Sequence, residues 1–236
     1  MINLIRNEFT KLGKFKLIIP FLLFISIFFI EYHLNTIVTF DNLIVLIPYI
    51  GIVLCIIFSG IVSAEVENGT FKYYLTKAKT RAKVLLSKII MEFIYTFLLT
   101  TVLLILFNLL GGYLNIQIIL KYFTFTIPLY FIISLTTVLS IIIKNTPINS
   151  GMCIILLSFS GILSELLFKN NIKFIEYTFF PYLDLTIFNS SESINLVNLE
   201  YGINLNISYG VLINILFIIL FNIVSFILFI KKDIKS

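Results

Sequence analysis

The sequence predicts an all-α membrane protein with six transmembrane helices. Three observations carry that prediction. Hydrophobic residues make up 59% of the 236-residue chain and charged residues only 12%, with mean hydropathy +1.07; a soluble domain carries about 25% charge. Six windows reach the roughly 20 apolar residues that a bilayer crossing needs: 17–37, 43–63, 89–111, 121–143, 148–168 and 209–230. Of the 17 Lys and Arg, 14 fall in the termini and in the second and fourth connections, and 3 in the others. This positive-inside bias puts both termini in the cytoplasm and requires an even number of spans. So little charge excludes a soluble enzyme, a disordered chain and a nucleic-acid binder; the net charge of +5 is read loop by loop.

The N-terminal segment, 1–16, repeats Ile2, Leu4, Ile5, Phe9 and Leu12 at spacings of three and four, with Arg6, Asn7, Thr10 and Lys11 opposite. This is the pattern of a helix lying in the headgroup layer, and Gly13 is placed to break it. The first window has a clean apolar core of only 14 residues, Leu17 to Ile30, with Pro20 near its start. To cross, it must run on through Tyr32, Leu34 and Ile37, leaving Glu31 and His33 near the outer headgroups. No small-residue cleavage site follows, so no cleavable signal peptide is expected. Residues 1–236 read as one membrane domain without linker or repeat.

The segment 64–88 is the most informative. The second span has no breaker at its end and continues toward Glu65 and Glu67. Asn68-Gly69 stops a helix. Thr70 can cap a short helix with Phe71, Tyr74 and Leu75 on one face, and Thr80 can cap the next. Arg81 lies in the basic turn that follows. Lys88 and Glu92, four residues apart, are spaced for a local pair. A short helix with exposed aromatics can dock in a partner's groove; a basic loop on anionic lipid is the plainer reading.

These residues resemble a known family. Glu65, Glu67, Gly69, Thr70, Leu75, Arg81 and Lys88, in that order, with Glu8, Phe9, Lys11 and Leu12 near the start, are similar to type-2 ABC exporter permeases. The likeness is greatest to the short permeases of bacteriocin-immunity, lantibiotic and bacitracin-type drug exporters, and it covers the whole chain. Ala78 stands where many relatives have proline. The resemblance implies a multi-pass permease of the bacterial cytoplasmic membrane, working as a homodimer or beside a similar permease. ATP and magnesium would bind separate ABC ATPase subunits. Glu65, Glu67, Gly69, Thr70, Phe71, Tyr74, Leu75 and Arg81 would couple to those subunits. In agreement, the sequence contains no Gly-x-x-x-x-Gly-Lys-Ser/Thr phosphate loop.

The segment 169–208 is too apolar for a free loop and is interrupted by Pro181. A pair of short re-entrant helices fits it, since irregular backbone at membrane depth must be buried by protein. Phe180, Pro181 and Tyr182 are the candidate outer gate, and an aromatic belt at the interface is the plainer alternative. The resembled family has such an outer cap between its last two spans.

Polar groups within the windows are mostly small: Ser59, Ser63, Ser134, Thr136, Thr137, Ser140, Ser158, Ser160, with Asn108, Asn214 and Asn222. Such residues pack helices closely, and a path lined by them suits an amphipathic or hydrophobic cargo. Cys55 and Cys153 read as buried apolar groups, and no metal site is expected. With His33 as the sole histidine, zinc-protease and Ser-His chemistry have no base. A secondary transporter, or a membrane anchor for a soluble partner, are the alternatives to an exporter.

Overall fold

The computed structural model describes residues 1–34, 47–68, 80–109, 116–170, 178–183, 195, 198–199 and 205–231. The long apolar runs form helices: α1 (Ile2–Leu34), α2 (Ile47–Phe58), α3 (Ser63–Glu67), α4 (Arg81–Leu109), α5 (Ile116–Ile142), α6 (Thr146–Lys169) and α7 (Ile207–Lys231), with a single 3-10 turn at Phe180–Tyr182. Among the described residues there is no β-strand. Three helical stretches are long and apolar enough to cross a membrane: Tyr49–Glu67, Arg81–Leu106 and Ile207–Lys231. Thr126–Ile142 and Thr146–Ser160 are shorter apolar helices. The described residues are accordingly all-helical, with three helices of the length and apolarity that a membrane crossing needs.

Helix α5 is the centre of the bundle, packed against α2, α4, α6 and most extensively α7. Its hydroxyl residues Ser134, Thr136, Thr137 and Ser140 are all buried. Each returns a hydrogen bond to a carbonyl three or four residues back, which leaves small side chains that let neighbouring helices approach. Asn222 of α7 donates to Ser134 Oγ at 3.1 Å. Cys55 and Cys153 are buried as expected, but their thiols also meet across α2 and α6, which sequence separation gave no reason to expect. Large apolar side chains of α4, α6 and α7 point outward, among them Phe97, Phe159 and Leu216, as a lipid-facing surface would.

Two backbone irregularities shape one end of the bundle. Gly13, at φ 75° and ψ 151°, interrupts α1. Only glycine adopts this backbone region without steric cost. Residues 2–12 therefore form their own short rod, and the Tyr95 hydroxyl of α4 lies 3.3 Å from the carbonyl oxygens of both Lys16 and Leu17, just beyond the bend, able to donate to either. The second irregularity separates α2 from α3: residues 59–62 form a turn. The peptide carbonyls it frees are taken by side chains. Ser59 O accepts from Ser63 Oγ at 2.8 Å and from the wholly buried Asn149 at 2.6 Å. Ile61 O accepts from Lys88 Nζ at 2.9 Å. A Cβ at Gly60 would lie 3.1 Å from Thr146 Cγ2, so glycine here also permits the close approach of α6.

Candidate functional site

The basic segments converge at that same end. Lys88 at the start of α4 reaches Ile61 beyond α2. Ser63 lies against Thr146 at 3.2 Å, and Arg81 donates to Ile230 O, near the end of α7, at 2.9 Å. The stretch 81–88 thus shares one end of the molecule with residues beside Lys144 and Lys231.

At its heart is a buried network of four charges. Residues 2–12 present Ile5, Phe9 and Leu12 to the core, and Glu8 sits on that same stripe, only 5% exposed. Glu8 Oε2 accepts from Lys88 Nζ at 2.8 Å. Glu65 Oε1, from α3, accepts from Lys88 at 2.8 Å and from Lys11 at 2.7 Å. Lys11 also pairs with Glu8 Oε1, three residues before it. Two carboxylates and two ammonium groups alternate, so the group is neutral as a whole. Lys88 is 1% exposed. Charges so deep persist only when paired and fully hydrogen-bonded; removing one partner of such a pair costs about 3–5 kcal/mol.

Lys11 is half-buried. Desolvation lowers its affinity for a proton, but the hydrogen bonds and charges of Glu65 and Glu8 outweigh that and hold its pKa above the ordinary 10.5. A cavity of about 250 Å³ opens beside the network, lined by Glu8, Lys11, Lys16, Glu65, Lys88 and Thr146 with Ile57, Ile61 and Met91. One helical turn past Lys88 lies Glu92, 1% exposed. The Lys88–Glu92 pairing allowed by spacing is not the one adopted. Lys88 turns to Glu8 and Glu65, and Glu92 meets Thr137 of α5 at 2.8 and 3.1 Å.

The residues expected to couple to a partner divide as follows. Glu65 is inside the network. Glu67 is exposed and accepts from Thr146 Oγ1 at 3.3 Å. Arg81 ties α4 to the last turn of α7, where a cation favourably meets carbonyls left open by the helix end. Gly69, Thr70, Phe71, Tyr74 and Leu75 lie outside the described residues. Sequence reading did not foresee that Glu8 and Lys11 join Glu65 and Lys88 in one cluster. The signal was present: Glu8 interrupts the apolar stripe Ile5–Phe9–Leu12, and a charge on a buried face requires a partner.

Phe180, Pro181 and Tyr182 form their 3-10 turn well inside the bundle, with Pro181 and Tyr182 buried. Asn214 donates to Tyr182 O at 2.8 Å. The rings of Phe131, Phe179, Phe217 and Phe221 pack around it at centroid separations of 5.0 to 6.2 Å. Asn214 lies about 25 Å along α7 from Lys231, at 1.5 Å per residue, so this cluster is remote from the ion network.

No curated protein matches the chain. A family model described as "Protein of unknown function (DUF2705)" matches residues 4–235. The match takes in both ends of the ion network, the Phe180–Tyr182 turn and every helix, and so the chain belongs to the DUF2705 family.

Proposed function

We propose that this chain is the transmembrane permease subunit of an ATP-driven exporter. It crosses the bacterial cytoplasmic membrane six times with both termini inside, and it pairs with a second permease, identical or similar. Separate ABC ATPase subunits bind ATP and magnesium and grip the segment around Gly69–Leu75. The cargo is an amphipathic peptide or a hydrophobic antibiotic, exported for secretion or self-protection. Helices overlie each of the six apolar windows, which supports the span count. The gathering of the basic segments at one end supports the orientation, since positive charge is retained in the cytoplasm.

One observation carries the mechanical part of the reading. The rod 2–12, helix α3 and the start of α4 are tied by the buried ion pairs of Lys88 and the half-buried pairs of Lys11. Segment 69–79 connects α3 to the residue preceding α4. A push on that segment therefore reaches a stiff, pre-assembled unit and not two independent helix ends. Driving a bundle between two states needs several kcal/mol of differential binding, which a nucleotide-hydrolysing partner supplies. Phe180, Pro181 and Tyr182 serve as the gate on the far side.

The test is reconstitution with an ABC ATPase subunit that co-purifies with this chain. Gly69→Pro and Leu75→Asp are expected to leave membrane insertion intact while abolishing cargo-stimulated ATP hydrolysis and transport. Full transport in both variants would refute the coupling role. Labelling of Tyr74→Cys by a membrane-impermeant thiol reagent should occur from the inside only.

A further inference from the structure

The hydrogen-bond inventory around Lys88 and Glu92 does not balance if every carboxyl is ionised. A lysine ammonium has three N–H donors. Lys88 spends them on Glu8 Oε2 at 2.8 Å, Glu65 Oε1 at 2.8 Å and Ile61 O at 2.9 Å. None remains for Glu92, which is buried one turn away. A threonine hydroxyl has one proton to give. Thr137 Oγ1 lies 2.9 Å from Ile133 O, and a peptide carbonyl can only accept. The same oxygen lies 2.8 and 3.1 Å from the two oxygens of Glu92. One proton cannot fill both contacts. They are filled together if Thr137 donates to Ile133 O and Glu92 donates to Thr137.

The surroundings agree. From α1 the carboxylate of Glu8 faces Glu92, and from its own helix Lys88 does. Glu65 of α3 and Lys11 lie one partner further out, bonded to Lys88 and Glu8. Helix α5 contributes the Thr137 hydroxyl; its Tyr130 stacks on Phe93 and its Tyr122 bonds to Thr100. The titratable residues of α7 are Tyr209 and Lys231, at its two ends. An ionised Glu92 would sit buried with at most one donor, the Thr137 hydroxyl, for two carboxylate oxygens, which is unfavourable.

We propose that Glu92 is a proton-binding site, protonated while Lys88 is held by Glu8 and Glu65, and deprotonated when Lys88 is released and turns to pair with it. Four residues apart on one helix, the two side chains are neighbours. The proton leaves from the Glu92 carboxyl to water in the cavity that Lys88 and Met91 line, and the new Lys88–Glu92 pair is neutral. Opening the network thus releases one proton. The opening equilibrium shifts by up to about tenfold per pH unit, toward open as pH rises. This inference is independent of the exporter reading and stands or falls on its own experiment.

That experiment is infrared spectroscopy of the full chain in phospholipid nanodiscs at neutral pH. The wild type is expected to show the carbonyl stretch of a buried carboxylic acid. Glu92→Gln, which keeps the donor, should lose that band, and Glu67→Gln, at an exposed site, should keep it. The double variant Glu8→Gln/Glu65→Gln frees Lys88 and should also lose it. A wild type without the band, or a band that survives Glu92→Gln, overturns the proton site. A band that survives the double variant overturns the partner exchange. If a variant fails to fold, wild-type protein carrying ¹³C-glutamate decides: an isotope-shifted acid band supports the protonated glutamate and its absence overturns it.

Discussion

The ion network around Lys88 and the aromatic cluster around Phe131 both anchor irregular backbone to the bundle, by opposite means. At the basic end the turn at 59–62 is held by donors counted one for one: Asn149 for Ser59 O, Lys88 for Ile61 O. Around Phe180–Tyr182 one such bond, from Asn214, is supplemented by ring packing. Donor–acceptor holding is all-or-none, because a buried group without its partner bears a full desolvation cost. Ring packing is graded, because each lost contact removes only a small dispersion energy. The first arrangement suits a latch with two states, the second a surface that yields a little at a time.

The contrast can be broken most severely at Lys88. Lys88→Met leaves Glu8 and Glu65 buried beside each other and is expected to cost about 3–5 kcal/mol, read as a fall in the thermal unfolding midpoint in detergent. Adding Glu8→Gln and Glu65→Gln to Lys88→Met, which removes the two carboxylates left without their ammonium, should recover a measurable part of that loss; no recovery would mean that packing and not pairing is what matters there. Next in size is Asn149→Leu, which strips the donor from Ser59 O. About 1–3 kcal/mol is expected, with faster amide exchange confined to residues 59–68. At the aromatic cluster, Phe131→Leu conserves most of the volume and is expected to cost less than about 1.5 kcal/mol. An effect there as large as that of Lys88→Met would erase the distinction between the two regions.

The smallest effect is a pH effect on Lys11. Its pKa is raised in the folded state, so its contribution is complete below the ordinary 10.5 and is lost as pH rises through the higher folded value. The group is half-buried, and solvent screening keeps its contribution small. A nitroxide at the exposed Thr10 should gain mobility only above pH 10.5, while one near Phe131 should not change.

Local regularities in the sequence translated well into structure. Apolar windows became helices, the break at Gly13 appeared as a positive φ, and the hydroxyls of α5 became packing residues. What escaped were features set by distance in space. Spacing offered Glu92 to Lys88, but helix geometry alone does not reveal that Glu8, 80 positions earlier, competes for the same ammonium and wins. The turn at 59–62 contains no proline; Ser59 and Gly60 permit it, and only the donors waiting on α4 and α6 make it favourable. Glu65 and Glu67 read as an equivalent pair, yet one is buried among lysines and the other faces outward, a difference decided by a break upstream that sequence periodicity did not register.

The separation of Glu8 from Lys88 also bears on how the protein is made. Residues 1–12 leave the ribosome well before Lys88, 80 positions after Glu8, has been made. Until α4 has been synthesised and laid into place, Glu8 has only Lys11 beside it and stays in water. A segment made before its partner is therefore secured late, and its attachment reports that α1, α3 and α4 have come together.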